Sequence, residues 1–137
     1  MALGRPRRRR TQALMKTFSI ADRIKSFTFA ASGIATMLRT QHNAWIHLAT
    51  TAVVVAAGLW FEIARGEWVW LIVAIVAVWT AEALNTAFEL LCDVASPEFH
   101  PLVKQAKDVA AAAVLIAAAG ATIIGLLVFV PHVFPGL

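Results

Sequence analysis

Four polar side chains set into a long apolar stretch are the residues of this chain best suited to chemistry. In residues 79–93, WTAEALNTAFELLCD, Glu82, Asn85, Glu89 and Asp93 follow at spacings of three, four and four. On an α-helix that spacing puts them on one stripe. Carboxylates within a membrane-grade helix are costly to place and usually functional. A Glu held among apolar groups is poorly solvated, which suits a general base near neutral pH. A second carboxylate one or two turns away, at the water boundary, suits Mg2+, which takes oxygen ligands and keeps some of its waters. Lys107 and Asp108 return to the same boundary at the start of the next apolar run. Lys107 can neutralise a phosphate; Asp108 can cap a helix or orient a partner. A base, a metal carboxylate, a phosphate-binding cation and access to lipid are the minimum for phosphoryl transfer from a nucleotide to a membrane alcohol. The same stripe could also line a proton path or join subunits, and spacing alone leaves these open.

The elements that must position this stripe are legible in the composition. The chain has 137 residues and is 60% hydrophobic. Its mean hydropathy is +0.74, well above that of a soluble globular protein. The reading is an all-α integral membrane protein with an N-terminal interfacial amphipathic helix plus three transmembrane helices. Residues 1–16 form a basic arm expected to be disordered. Residues 17–130 form the membrane domain and 131–137 a C-terminal tail. Within the domain, Ile20, Ile24, Phe27, Ala31, Ile34 and Leu38 recur at helical spacing between polar and basic residues. This predicts a helix over about 19–39 lying in the membrane interface, with Ser19 and Asp22 at its start. Uncharged or nearly uncharged runs at 45–61, 68–91 and 109–130 predict three spans.

Nine of the twelve basic residues precede residue 40. Beside membrane segments, such an arm reads as an anchor to anionic lipid. No nucleic-acid recognition motif accompanies it, so nucleic acid is not an expected partner. Cys92 is the only cysteine, which excludes an intrachain disulfide and reads as a small packing residue. No zinc-type spacing occurs. Counting Lys and Arg beside each span places the N-terminus and the 92–108 loop in the cytoplasm, with the 62–67 link and the C-terminus outside. From Trp68 at the outer interface, Glu82 then lies about 21 Å in and Glu89 about 32 Å, at 1.5 Å per residue. For a hydrocarbon core of about 30 Å, Glu82 is in the inner leaflet and Glu89 at the cytoplasmic boundary.

The stretch AEALNTAFELLCD, followed by EFHPLVKQAKDVAAAAVLIA, resembles the signature of the prokaryotic diacylglycerol kinase family. These are small trimeric membrane lipid kinases that include undecaprenol kinases. The signature reads Glu-x-x-Asn-(Ser/Thr)-Ala-x-Glu-x-x-x-Asp, then a short loop and Ala-Lys-Asp-x-x-(Ala/Ser)-Ala-Ala-Val. Every fixed position is met, and the resemblance runs from about residue 23 to residue 130. It implies an ATP-dependent kinase that phosphorylates the hydroxyl of diacylglycerol or undecaprenol in a bacterial cytoplasmic (inner) membrane. Glu82 matches the family's catalytic base and Asn85 a polar partner in the site. Glu89 matches a carboxylate for Mg2+. Glu98 and His100 match loop positions that meet the nucleotide, and Lys107 and Asp108 match the pair that engages ATP, the co-substrate.

One departure concerns the metal. The family's second metal carboxylate precedes the first span, often as Glu in Glu-x-Asn-x-x-x-His. This chain has Gln41 there, followed by Asn43 and His47. A Gln carbonyl can ligate Mg2+ but brings no charge. The Asn43 to His47 spacing leans toward the undecaprenol branch. The resemblance further implies a homotrimer with sites between subunits. The competing reading is a non-enzymatic membrane component, either an ion-path subunit or an inactive relative.

Overall fold

The structure, a computed structural model, describes residues 19–136. The basic arm therefore lies outside the described residues. Four helices follow in order: α1 (Ile20–Thr40), α2 (His42–Trp60), α3 (Arg65–Ala95) and α4 (Pro101–Val133). There is no strand among the described residues.

The chain divides into two compact units, one ending at Gly33 and the other running from Ile34 to Leu137. The described part of the first unit is the N-terminal portion of α1. Its Ser19 Oγ accepts the Asp22 N–H at 3.4 Å, the cap expected from sequence. Ile20, Ile24 and Phe27, on one helical face, are exposed.

In the second unit, α2, α3 and α4 are each long and apolar enough to cross a membrane. The protein is an all-α integral membrane protein. The 19 residues of α2 reach about 28 Å, close to one hydrocarbon core. The 31 residues of α3 and 33 of α4 reach about 46 and 50 Å, so both project beyond it. These lengths exceed the uncharged runs because polar helix formers continue each helix. Pro101 supplies a preset φ in the first turn of α4, and His100 caps it, its Nδ1 accepting the Leu102 N–H at 3.2 Å. Asp108 thus sits two turns inside α4 and does not cap it.

The helix α3 is the centre of the unit. It packs along most of α4 and, over a shorter length, against α2. Its buried residues Leu71, Ala74, Val78, Glu82 and Asn85 recur at three and four, one continuous face. Near the α2–α3 link, Ile63, Leu71 and Val128 form a small buried cluster with Phe61, Trp68 and Phe129 against it. The link turns through Glu62, a non-glycine residue at φ 51°, in the left-handed region. Its neighbours satisfy the end of α2, with Phe61 N–H donating to the Ala57 carbonyl and Ile63 N–H to that of Gly58. Gly58 is needed for close approach: a Cβ there would meet the Trp68 ring at 2.8 Å. Elsewhere the surface is greasy, with Leu115, Ile116 and Leu127 of α4 each at least 70% exposed. Such a surface suits lipid contact and would be a liability in water.

Candidate active site

A single linking residue, Gln41, joins α1 to α2. Its backbone is extended (φ −109°, ψ 115°), which ends one helix and starts the next. Its side chain does not cap α2. Instead its Nε2 donates to Glu89 Oε2 at 2.8 Å, across 48 residues of sequence. Asn85 Nδ2 donates to the other oxygen of the same carboxylate, Oε1, at 3.2 Å. The structure thus brings Gln41, Asn85 and Glu89 into one cluster. Glu89 is half-buried, Asn85 is buried, and Asn85 Oδ1 has no hydrogen-bond partner. An unpartnered buried oxygen beside an anchored carboxylate is an uncommon arrangement that invites a cation or a donor.

Two turns toward the middle of α3, Glu82 is completely buried. Neither carboxylate oxygen has a hydrogen-bond partner. The facing group is His47 of α2, with Nε2 3.8 Å from Glu82 Oε2. His47 Nε2 is likewise buried and unpartnered. Below Glu82, Thr86 Oγ1 donates to the Glu82 backbone carbonyl at 2.8 Å, which keeps that hydroxyl away from the carboxylate. On the other side, Trp79 Nε1 donates to Thr51 Oγ1 at 3.1 Å and ties α3 to α2 one turn away.

The remaining residues read from sequence are dispersed. Lys107, which precedes the uncharged run of α4, donates from Nζ to Asp93 Oδ1 at 2.8 Å. That hydrogen bond raises the Lys107 ammonium above its ordinary value, so it stays a cation through neutral pH. Asp108 pairs with Lys104 one turn away, at 2.7 Å, and both are well exposed. Glu98 is exposed, and its backbone carbonyl accepts from Ser96 Oγ. His100 is exposed and serves as the α4 cap. Sequence reasoning missed the His47 pairing with Glu82 and the Asp93 pairing with Lys107. The second had a visible trace, since Asp93 ends the polar stripe and Lys107 was placed at the same boundary. The first had a weaker one, since His47 is only the last position of the family's Glu-x-Asn-x-x-x-His setting and nothing in its apolar run points to Glu82.

No group of three or more His, Cys, Asp or Glu side chains poised for a metal occurs among the described residues. The donors closest together are instead one carboxylate, Glu89, and two amides, Gln41 and Asn85. That set is poor for zinc and compatible with a hard cation that shares its shell with phosphate and water.

Fold and site together define a multi-span helical membrane protein with a carboxylate–amide cluster on its second span. A family model described as "Prokaryotic diacylglycerol kinase" matches residues 28–129. An undecaprenol kinase of Bacillus subtilis (strain 168) is 40% identical over 107 residues, 78% of this chain and 87% of that relative. A diacylglycerol kinase of Synechocystis is 37% identical over 101 residues, 73% of this chain. The chain spans 58% of that second relative's length. The protein belongs to the prokaryotic diacylglycerol kinase family and is a lipid kinase by class.

Proposed function

We propose that this chain transfers the γ-phosphate of ATP to the hydroxyl of a membrane alcohol, either diacylglycerol or undecaprenol. The observation that carries the reading is Glu82: a wholly buried carboxylate with no hydrogen bond to either oxygen and His47 facing it at 3.8 Å, on the helix face that also carries Glu89. A structural carboxylate in hydrocarbon would be paired and hydrogen-bonded. Glu82 is free to take a proton.

In the proposed reaction the acceptor O–H gives its proton to the Glu82 carboxylate. The alcohol oxygen forms a bond to the γ-phosphorus from the side opposite the leaving group. The bond from that phosphorus to the bridging oxygen breaks, and its electron pair leaves with ADP. Lys107 offsets charge on the transferred group, as a cation fixed at the start of the third span. Glu98, His100 and Asp108 would meet the nucleotide from the exposed loop and first turns of α4. Asn85 holds the Glu89 carboxylate in place by its 3.2 Å hydrogen bond.

Mg2+ fits the cluster of Glu89, Gln41 and Asn85, because one carboxylate with neutral oxygen donors leaves places for phosphate oxygens and water. When bound, it would neutralise phosphate charge and align ATP. The Gln41 amide, which now donates to Glu89, would present its Oε1 to the ion after a half-turn.

We further place the protein in the bacterial cytoplasmic membrane, with the N-terminus and the α3–α4 loop inside and the C-terminus outside. The Lys and Arg distribution supports this orientation. A homotrimer and an anionic-lipid contact for the basic arm complete the reading.

The test is direct. The detergent-purified chain is incubated with ATP and Mg2+ and, separately, with diacylglycerol or undecaprenol. ADP release that depends on one lipid supports the reading and identifies the acceptor. ADP release with neither overturns it.

A further inference from the structure

Nothing at its own carboxylate fixes Glu82 in place. Neither oxygen takes a hydrogen bond. The Thr86 hydroxyl, one turn on, is given to the Glu82 backbone carbonyl instead. A proton acceptor nevertheless has to be held to about 0.5 Å of its working position. For Glu82 that constraint must come from how α2 and α3 are set against each other, and these two helices touch over a shorter length than α3 and α4 do.

Three side-chain pairs reach α3 from the α1–α2 junction and α2: Gln41 with Glu89, His47 with Glu82, and Thr51 with Trp79. Gln41 and Thr51 are ten residues apart, as are Trp79 and Glu89. The steps are six and four on one side, seven and three on the other, so the pairs stack as rungs between antiparallel helices in register. The two end rungs are hydrogen bonded, at 2.8 and 3.1 Å. The middle one, His47 with Glu82 at 3.8 Å, is too long for a hydrogen bond. The end rungs have unequal duties. Gln41 lies in the cluster proposed for Mg2+, so its bond to Glu89 opens when the amide turns to the ion. The Trp79–Thr51 bond has no such second use. Among the described residues it is the one side-chain hydrogen bond from α2 itself to α3. Both residues are half-buried within the candidate spans. There an indole N–H has little water to turn to, so breaking the bond leaves an unpaired donor.

We propose that Trp79 and Thr51 are positioning residues, whose hydrogen bond fixes the α2–α3 register that sets Glu82 opposite His47 and stays closed while Gln41 turns to the metal. The bond stands on geometry alone; its effect on turnover rests on the kinase reading and deepens it. Trp79 precedes Glu82 by three residues and Thr51 follows His47 by four, so the bond acts one turn from the pair it holds.

The experiment uses the full detergent-purified chain and the variants Thr51→Val, Thr51→Ser and Trp79→Phe, each checked by a thermal melt. Thr51→Val keeps the shape and loses the acceptor, and Thr51→Ser keeps the acceptor. The Trp79 indole N–H is followed by NMR with nitrogen-15-labelled tryptophan, assigned by its loss in Trp79→Phe. Its proton resonance should move upfield in Thr51→Val and return in Thr51→Ser. A resonance unmoved in Thr51→Val would remove the rung. In turnover assays with ATP and Mg2+, Thr51→Val should lower kcat about tenfold with the KM for ATP unchanged, and Thr51→Ser should recover most of it. Trp79→Phe should match Thr51→Val, with the double variant no worse than either. In a Glu82→Gln background, Thr51→Val should cost the residual rate nothing further, because no base is left to misplace. An equal loss in both backgrounds would make the rung a matter of stability alone and overturn the positioning role. So would unchanged kcat in Thr51→Val. A shifted indole resonance without ADP release by the wild type on either lipid would leave the hydrogen bond standing and sink the kinase reading, and the positioning role with it.

Discussion

Glu82 and Glu89 stand seven residues apart on one helix face, in opposite circumstances. Glu89 has both oxygens engaged by amides, from Gln41 and Asn85. Glu82 has neither oxygen engaged and no exposure. The proposed division of labour between a proton acceptor and a metal carboxylate rests on that contrast. It also gives Gln41 a definite test. In Gln41→Glu, two carboxylates would meet where an amide now donates at 2.8 Å, and like charges at that distance repel. A divalent cation relieves the repulsion, so the Mg2+ concentration for half-maximal activity should fall on the order of tenfold. Added Mg2+ should also raise the melting temperature of the variant more than that of the wild type. An unchanged Mg2+ requirement would take Gln41 out of the metal's surroundings. The Glu89 side of this arrangement was legible in the spacing of the stripe. Spacing alone did not bring Gln41 to it across 48 residues; the family resemblance did, as a second metal position, without foretelling the hydrogen bonds of the amides to Glu89.

At the scale of elements, α3 does two jobs with one face. Its N-terminal half packs apolar residues, and its C-terminal half carries the polar stripe. The face can serve both purposes only if α2 stays close enough for His47 to oppose Glu82. Gly58 and Trp68 control that approach at the α2–α3 link, where an added Cβ would meet the indole ring at 2.8 Å. Gly58→Ala should therefore destabilise the folded protein by about 1–3 kcal/mol through overpacking, read from thermal unfolding in detergent. Gly120→Ala, where nothing lies within 4 Å, should leave the melt within about 0.5 kcal/mol of wild type. Equal melts for the two variants would show that α2 and α3 do not depend on this contact. Helix type and order were readable from helical spacing for α1 and from hydropathy runs for α2, α3 and α4. The helix ends were not, because charged residues stop a hydropathy run without stopping a helix: α4 starts at Pro101, ahead of Lys104, Lys107 and Asp108. That extension is what brings Lys107 across to Asp93.

For the whole molecule, the residues proposed for the reaction come from each of α2, α3 and α4 and from one junction. Gln41 comes from the α1–α2 junction, His47 from α2, the acidic stripe from α3 and Lys107 from α4. A chain with so few buried side chains and so many exposed apolar residues presents a surface suited to lipid. Membership in a lipid kinase family accounts for the class, and Glu82 is where the account is most exposed. The decisive measurement is transfer of the γ-phosphate from ATP to the lipid that supports ADP release, for wild type and Glu82→Gln side by side, with melts of both. Glu82→Gln keeps the shape and removes the proton acceptor. The account predicts a loss of turnover of about 100- to 10,000-fold at an unchanged or raised melting temperature, since a buried carboxylate with no hydrogen bond is also removed. Near-normal transfer by Glu82→Gln would contradict it.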